Sequence, residues 1–181
     1  MKNFLFSLML LSAQAAAGVI GFDDLPGDGA MIANGYQGFY WDNVGTISAD
    51  AYPGSGYAAG AVSFANTAFN QGGGTVAVSK ADGFTFAGAF FTSAWMEQEI
   101  SFEGWRDGQL MYSSDVAYVL DTATPVWIGL GWSGIDTLLI YNSSGTQWAM
   151  DEFTVPEPAS LALFGVALAG LAAARRRRPG G

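Results

Sequence analysis

The 181 residues of this chain include no cysteine and no histidine. That removes disulfide stapling, Ser-His-Asp and Cys-His nucleophiles, and zinc sites of the usual kind. Between residues 18 and 155, two basic residues (Lys80 and Arg106) stand against fifteen acidic ones, a net charge of −13, which argues against a nucleic-acid or anionic-lipid surface and favours solubility and divalent cations.

Met1 to Ala17 has the order of a secretory signal peptide. Lys2 forms the positive start, Phe4 to Leu11 the short apolar run, and Ala15-Ala16-Ala17 an A-x-A cleavage site before Gly18, with Ala13-Gln14-Ala15 as the alternative. The next 138 residues, Gly18 to Val155, have the length of one domain and can bury a core without disulfides.

Their composition is Gly, Ala, Ser, Thr, aromatic and β-branched, and short strand signals alternate with turn residues. Strands are expected at Gly18–Phe22, Gly38–Trp41, Val62–Ala65 and Thr75–Ser79. Asp23–Gly29 reads as a turn, and Ala49–Ala61 and Gln71–Gly74 as loops. Phe84–Phe91 begins by alternating and then turns apolar, the pattern of a strand buried on both faces. Glu99–Trp105 and Leu110–Ser114 flank Asp107-Gly108, a strong hairpin signal. Ala117–Leu120, Val126–Leu130, Asp136–Tyr141 and Trp148–Val155 complete about ten strands, with no amphipathic helix and no internal repeat. The fold class expected is all-β, a β-sandwich of jelly-roll type.

Three groups of side chains invite a chemical reading. Tyr36, Tyr40, Trp41, Tyr52 and Tyr57 fall in the loop-rich first half, and aromatic rings stack on the apolar faces of sugars. Tyr40 and Trp41 are the expected ligand-binding pair, with Asn34, Asp42 and Asn43 available to sugar hydroxyls. Asp23, Asp24 and Asp151 lie at the two ends of the domain. If the first and last strands are neighbours, these carboxylates converge, and hard oxygen ligands suit a structural Ca²⁺, the only cofactor the pattern suggests. Glu97 and Glu99 sit about 7 Å apart along an extended chain, and with Glu103 as a third candidate they set up a surface glycoside hydrolase as the alternative to a non-enzyme. The bland reading of the glutamates is the solvent face of an amphipathic strand. The sequon Asn142-Ser143-Ser144 is read as chance in an exported bacterial chain.

After Val155 comes Pro156-Glu157-Pro158, then an uncharged run from Ala159 to Ala174, then Arg175, Arg176, Arg177 and Arg178. As a helix the run would be about 24 Å long, somewhat short of a hydrocarbon core of about 30 Å, with the arginines able to snorkel. Pro158 suits a first helical turn, and the arginines suit the last, on the cytoplasmic side.

This three-part tail resembles the PEP-CTERM sorting signal of exopolysaccharide-producing Gram-negative bacteria. Val155-Pro156-Glu157-Pro158-Ala159-Ser160 supplies the box, Leu161 to Ala174 the span, and Arg175–Arg178 the basic cluster. The resemblance implies handling by exosortase, a membrane-embedded cysteine enzyme cutting near the box, so that the tail is a removable address. Stretches such as Ile100–Gly108, Leu130–Asp136 and Met150–Val155 also resemble the jelly-roll ectodomain of PEP-CTERM proteins, which is similar to carbohydrate-binding modules. The expectation is an exported protein that passes the Sec translocon, is held in the inner membrane through its C-terminal helix, and reaches the cell surface or matrix. There it binds exopolysaccharide or, as a further alternative, serves as a structural protein without a defined ligand.

Overall fold

A computed structural model describes residues 17–156, of which Gly18–Val155 form one compact unit. The expected signal peptide, apolar span and arginine cluster lie outside the described residues. The strands are β1 (Ala17–Ile20), β2 (Asp28–Met31), β3 (Tyr40–Asp42), β4 (Val44–Ser48), β5 (Asn66–Asn70), β6 (Val76–Ser93), β7 (Gln98–Arg106), β8 (Gln109–Ser113), β9 (Tyr118–Leu120), β10 (Val126–Asn142) and β11 (Trp148–Pro156). Among the described residues one short α-helix, α1 (Gly56–Gly60), precedes β5. Among the described residues no helix is long and apolar enough to cross a membrane.

The strands run in the order β2-β4-β5-β11-β6-β10-β7-β8, with β1 beside β11, β3 beside β6 and β9 beside β7. β6 and β10 pair from Val126↔Phe91 to Ile140↔Val76, and the register shifts three times between Gly129 and Thr137. Such bulges bend a strand and let it pass from one layer to another. At one end of this long ribbon β3 and β7 are the neighbours; at the other end it is β11. The continuous sheet thus folds over itself into a sandwich, the all-β architecture expected, in an arrangement that fits a jelly roll.

The side chains that alternate inward fill the space between the layers. Trp41, Val78, Phe102, Leu138 and Ile140 come from one layer, and Phe86, Phe91, Ile128, Trp148, Met150 and Phe153 from the other; all belong to one buried cluster. Phe91 meets Phe102 edge-on at 5.4 Å, and Trp41 meets Phe153 at the same separation. A second, smaller core of Ile47, Tyr57, Phe69, Ala94 and Ala149 forms where α1 packs against β4 and β6.

Three kinds of difference from the sequence reading have causes visible in the fold. β2, β4 and β5 are strands that the hydropathy pattern does not mark. In β5, Asn66, Thr67 and Asn70 are buried because their side chains bond to backbone: Asn70 accepts from Trp148 N–H at 2.7 Å and donates to the Gly74 carbonyl at 3.1 Å. Val62–Ala65 forms no strand. The N–H groups of Ser63 and Ala65 turn instead to the carboxylates of Asp151 and Asp23 at 2.8 Å each. Two pairs of expected strands merge into β6 and β10, since a bulge keeps the ladder running where glycines suggest an end. The Asp107-Gly108 hairpin is as expected, both residues having positive φ, 50° and 74°.

Candidate functional site

β6 ends at Ser93, and the chain crosses to β7 through Ala94, Trp95, Met96 and Glu97. This crossing is braced from three directions. Ala94 N–H donates to the Gln147 carbonyl at 3.0 Å, the Gln98 amide donates to that same carbonyl at 2.8 Å, and Gly56 N–H donates to the Ala94 carbonyl at 3.0 Å. Position 56 admits only glycine, because a Cβ there would collide with the Ser93 carbonyl. The close approach seats α1 on the end of β6. It also brings the loop that precedes α1, Ala51 to Ser55, beside Trp95.

Together these segments line an open cleft of about 350 Å³, bounded by Tyr52, Pro53, Gly54, Ser55, Trp95 and Thr122. Tyr52 and Trp95 are each 47% exposed, and their rings meet nearly at right angles, 84°, with centroids 5.3 Å apart. Behind them the buried Tyr57 touches both, at 5.9 and 5.4 Å, and reaches Phe69 at 5.6 Å. Burial, with Tyr52 as a lesser cause, pushes the Tyr57 phenol far above its ordinary pKa. Trp95 Nε1–H donates to Gln147 Oε1 at 2.9 Å, which fixes the indole in its plane. Two flat apolar surfaces are thus held rigid at the rim of a concavity, with Ser55 and Thr122 close by. Rigid rings lose little entropy on binding, and their faces suit the C–H face of a sugar. The sequence reading includes Tyr52 and Tyr57 among the interesting aromatics and passes over Trp95. A tryptophan followed by methionine in a crossing between two strands is the signal that could have found it.

The expected pair Tyr40 and Trp41 is split by the fold. Adjacent residues of a strand face opposite ways. Tyr40 is 57% exposed and lines a shallow cleft of about 270 Å³ with Ser79, Lys80, Asp136 and Thr137. Trp41 is 2% exposed, packs on Phe22, Phe39 and Phe153, and donates from Nε1 to the Tyr36 carbonyl at 3.0 Å. The expectation that both rings stack on a sugar is corrected: Trp41 belongs to the core. Lys80 does not make the Tyr40 cleft a strong cationic site, since its ammonium lies 4.9 Å above the Phe39 ring.

The end-to-end approach of the domain is real, and β1 lies beside β11. Asp23 and Asp151 meet through Ser63, whose hydroxyl lies 2.9 Å from Asp23 Oδ2 and 3.0 Å from Asp151 Oδ2. Burial opposes ionisation of Asp23, but the N–H groups of Asn66 and Ala65 and the Ser63 hydroxyl outweigh it and hold its carboxyl below the ordinary range. Asp151 is fully buried, and burial pushes its carboxyl up despite N–H bonds from Ser63 and Glu152; the charge of Asp23 adds to the rise. Asp24 turns away and accepts from the Tyr36 hydroxyl at 2.6 Å. The three-carboxylate calcium site is therefore corrected. Two of its members already have their oxygens filled by donors and the third faces elsewhere, and among the described residues no group of three or more acidic ligands gathers.

Glu97 and Glu99 are exposed, with Glu97 before β7 and Glu99 on it. Glu103 is partly buried, and its Oε2 accepts from Trp105 Nε1–H at 3.0 Å and from the Tyr141 hydroxyl at 2.9 Å. Burial first and the Glu103 carboxylate second raise the Tyr141 pKa, so that proton stays in place. None of the three glutamates lines either cleft described above.

Residues 154–178 match the model of the PEP-CTERM protein-sorting motif. The match covers the Pro156-Glu157-Pro158 box, the apolar run and the arginines. No curated protein matches the chain. The motif marks an exosortase-sorted protein, exported to the cell surface or the extracellular space.

Proposed function

We propose that this is a non-catalytic surface or matrix protein that holds exopolysaccharide in the Tyr52–Trp95 cleft. In this reading the protein leaves through the Sec translocon, is kept in the inner membrane by its apolar tail, and is then released by exosortase. The observation that carries the binding role is the pair of half-exposed, braced rings at right angles across the cleft. Two exposed rings at the rim of a concavity, packed on the buried Tyr57, suit contact with a ligand. The domain without histidine or cysteine, and with Glu103 tied to two donors, is better suited to holding a glycan than to cutting one.

The test is retention of the full chain on the host's own polysaccharide, compared with Tyr52→Ala and Trp95→Ala variants. Each ring is expected to contribute on the order of 1 kcal/mol, about fivefold in affinity. Both side chains are half exposed, so the variants should unfold cooperatively as the parent does. Undiminished retention by the double variant would reject the cleft. Appearance of new reducing ends, abolished by Glu99→Gln or Glu103→Gln, would replace a binder with a hydrolase. No retention by the parent would leave a structural protein without a ligand.

A further inference from the structure

Ser63 stands between two carboxyl groups and has one proton to give. Its Oγ lies 2.9 Å from Asp23 Oδ2, 3.1 and 3.0 Å from Asp151 Oδ1 and Oδ2, and 3.4 Å from the Gly21 carbonyl. A serine hydroxyl donates one hydrogen bond and otherwise accepts. If both carboxyls were ionised, it could satisfy only one, and the other would press its lone pairs on the hydroxyl oxygen. No cation offsets that: of the two basic residues between 18 and 155, Lys80 lies over Phe39 and Arg106 pairs with Asp107 at 3.3 Å. A second proton completes the node, and the surroundings of the two acids say which one carries it.

Asp23 is exposed, and its Oδ1 accepts the N–H groups of Ala65 and Asn66 at 2.8 and 3.0 Å, which suits a charged carboxylate. Asp151 is fully buried, and burial without a counter-charge favours the neutral acid. The elements around Asp151 add to that preference. The turn after β1 brings the negative charge of Asp23, the loop 62–65 brings uncharged Ser63, and β6 brings Phe90 opposite it in the ladder. Glu152 contributes its N–H at 2.7 Å. We propose that folded Asp151 is a neutral acid donating its proton to Ser63 Oγ, that the Ser63 hydroxyl donates in turn to the Asp23 carboxylate, and that this relay is a pH-sensitive latch on the loop 62–65. The loop's own N–H groups reach the same two carboxyls, Ser63 to Asp151 and Ala65 to Asp23, at 2.8 Å each. As pH rises through the point where Asp151 ionises, a second charge appears beside Asp23 in a buried site, and hydrating it means lifting Ser63 away. The latch is closed in acid and loosens as pH rises.

The experiment follows the aspartate carboxyl carbons of the full chain, isotope-labelled and purified in detergent, by NMR as pH is varied. In the wild type Asp151 should titrate above the ordinary aspartate value of about 3.9, and Asp23 below it. Ser63→Ala separates the two directions in which the hydroxyl could point. Where it accepts from Asp151, its loss removes a partner of the neutral acid and lowers the Asp151 titration point. Were it donating to an ionised Asp151, its loss would raise that point. Hydrogen exchange at the Ser63 and Ala65 amides reads the latch itself. With the ordinary base catalysis of exchange divided out, protection should fall as pH passes the Asp151 titration. In Asp151→Asn, which cannot ionise, protection should stay level. An Asp151 that ionises at or below the ordinary value in the folded wild type would overturn the proposal without any variant. A titration point unmoved or raised in Ser63→Ala would overturn the relay. Protection that ignores pH, or falls equally in Asp151→Asn, would overturn the latch.

Discussion

Replacing Asp151 by Asn tests whether the node at Ser63 is a filled hydrogen-bond site or a vacant cation site. Asp151 is fully buried, and each of its oxygens accepts one backbone N–H: Oδ2 from Ser63 at 2.8 Å and Oδ1 from Glu152 at 2.7 Å. Asparagine keeps one oxygen and turns an NH₂ group against the other N–H, which leaves a buried donor unpaired at a cost of about 1–3 kcal/mol. That penalty is uniform in pH; the carboxylate's own contribution is not. Burial raises its folded pKa, so the wild-type advantage is complete below the unfolded value, about 3.9, and is lost as pH rises through the raised folded value. Each unit of elevation is worth about 1.4 kcal/mol. The destabilisation by Asp151→Asn, read from urea unfolding at a series of pH values, should therefore narrow from pH 4 to pH 7. Asp23→Asn provides a control of opposite sign. Its folded pKa is lowered, so its penalty should be full at pH 7 and fade as pH falls through that lowered value. An Asp151→Asn penalty that widens towards pH 7 would mean that the ionised carboxylate is stabilised by a counter-ion, and would refute the filled-node account.

Two further outcomes follow from the same geometry. Ca²⁺ and Mg²⁺ at matched ionic strength should raise the thermal midpoint equally, since both screen the net charge of −13 between residues 18 and 155 and Asp24 does not join the node; a Ca²⁺-specific rise abolished by Asp24→Asn would restore the calcium site. Trp41→Ala should destabilise the domain by about 3–5 kcal/mol in denaturant titration, whereas Tyr40→Ala should stay within about 0.5 kcal/mol.

What the sequence made legible was mostly what is local. Asp107-Gly108 has turn chemistry that needs no distant partner, and Glu99–Trp105 shows its alternation on its face. β5 hides because polarity normally means exposure. Asn66 and Asn70 reverse that rule by bonding to the backbone of Phe22, Leu25, Gly74 and Trp148, residues that only the folded chain brings near. The division between Tyr40 and Trp41 needed no structure at all. Two neighbours in a strand cannot share a face, so one of them had to be core. The Tyr52–Trp95 cleft was beyond reach, since its rings are separated by all of α1, β5 and β6 and meet only because Gly56 lets α1 sit on the Ser93 carbonyl. The Asp23–Asp151 approach was legible from strand order, but its bridging residue Ser63 was not, because Val62–Ala65 reads as strand rather than as the loop that covers Asp151.

The sorting motif begins inside the last strand, and this sets where processing can occur without loss of the fold. β11 pairs with β6 as far as Thr154↔Gly88, and Phe153 is fully buried against Phe39, Trp41, Phe84 and Phe86. The matched motif starts at residue 154. A cut that preserves Val155 leaves in place every β11 side chain that packs on the core. A cut before Phe153 removes a ring whose loss costs about 3–5 kcal/mol, a large part of the stability of a domain this size. The exported protein should therefore end at or beyond Val155 and lack Arg175–Arg178, as mass spectrometry of its C-terminus would read. Pro156→Ala plus Pro158→Ala should block release while the thermal midpoint of the domain holds. The pairing with β6 has already ended at Thr154, and proline has no N–H to lose. A surface form that still carries the arginine cluster would reject processing at the box. A mature C-terminus before Phe153 on a protein that still unfolds cooperatively would show that β11 is not the strand that closes the sandwich.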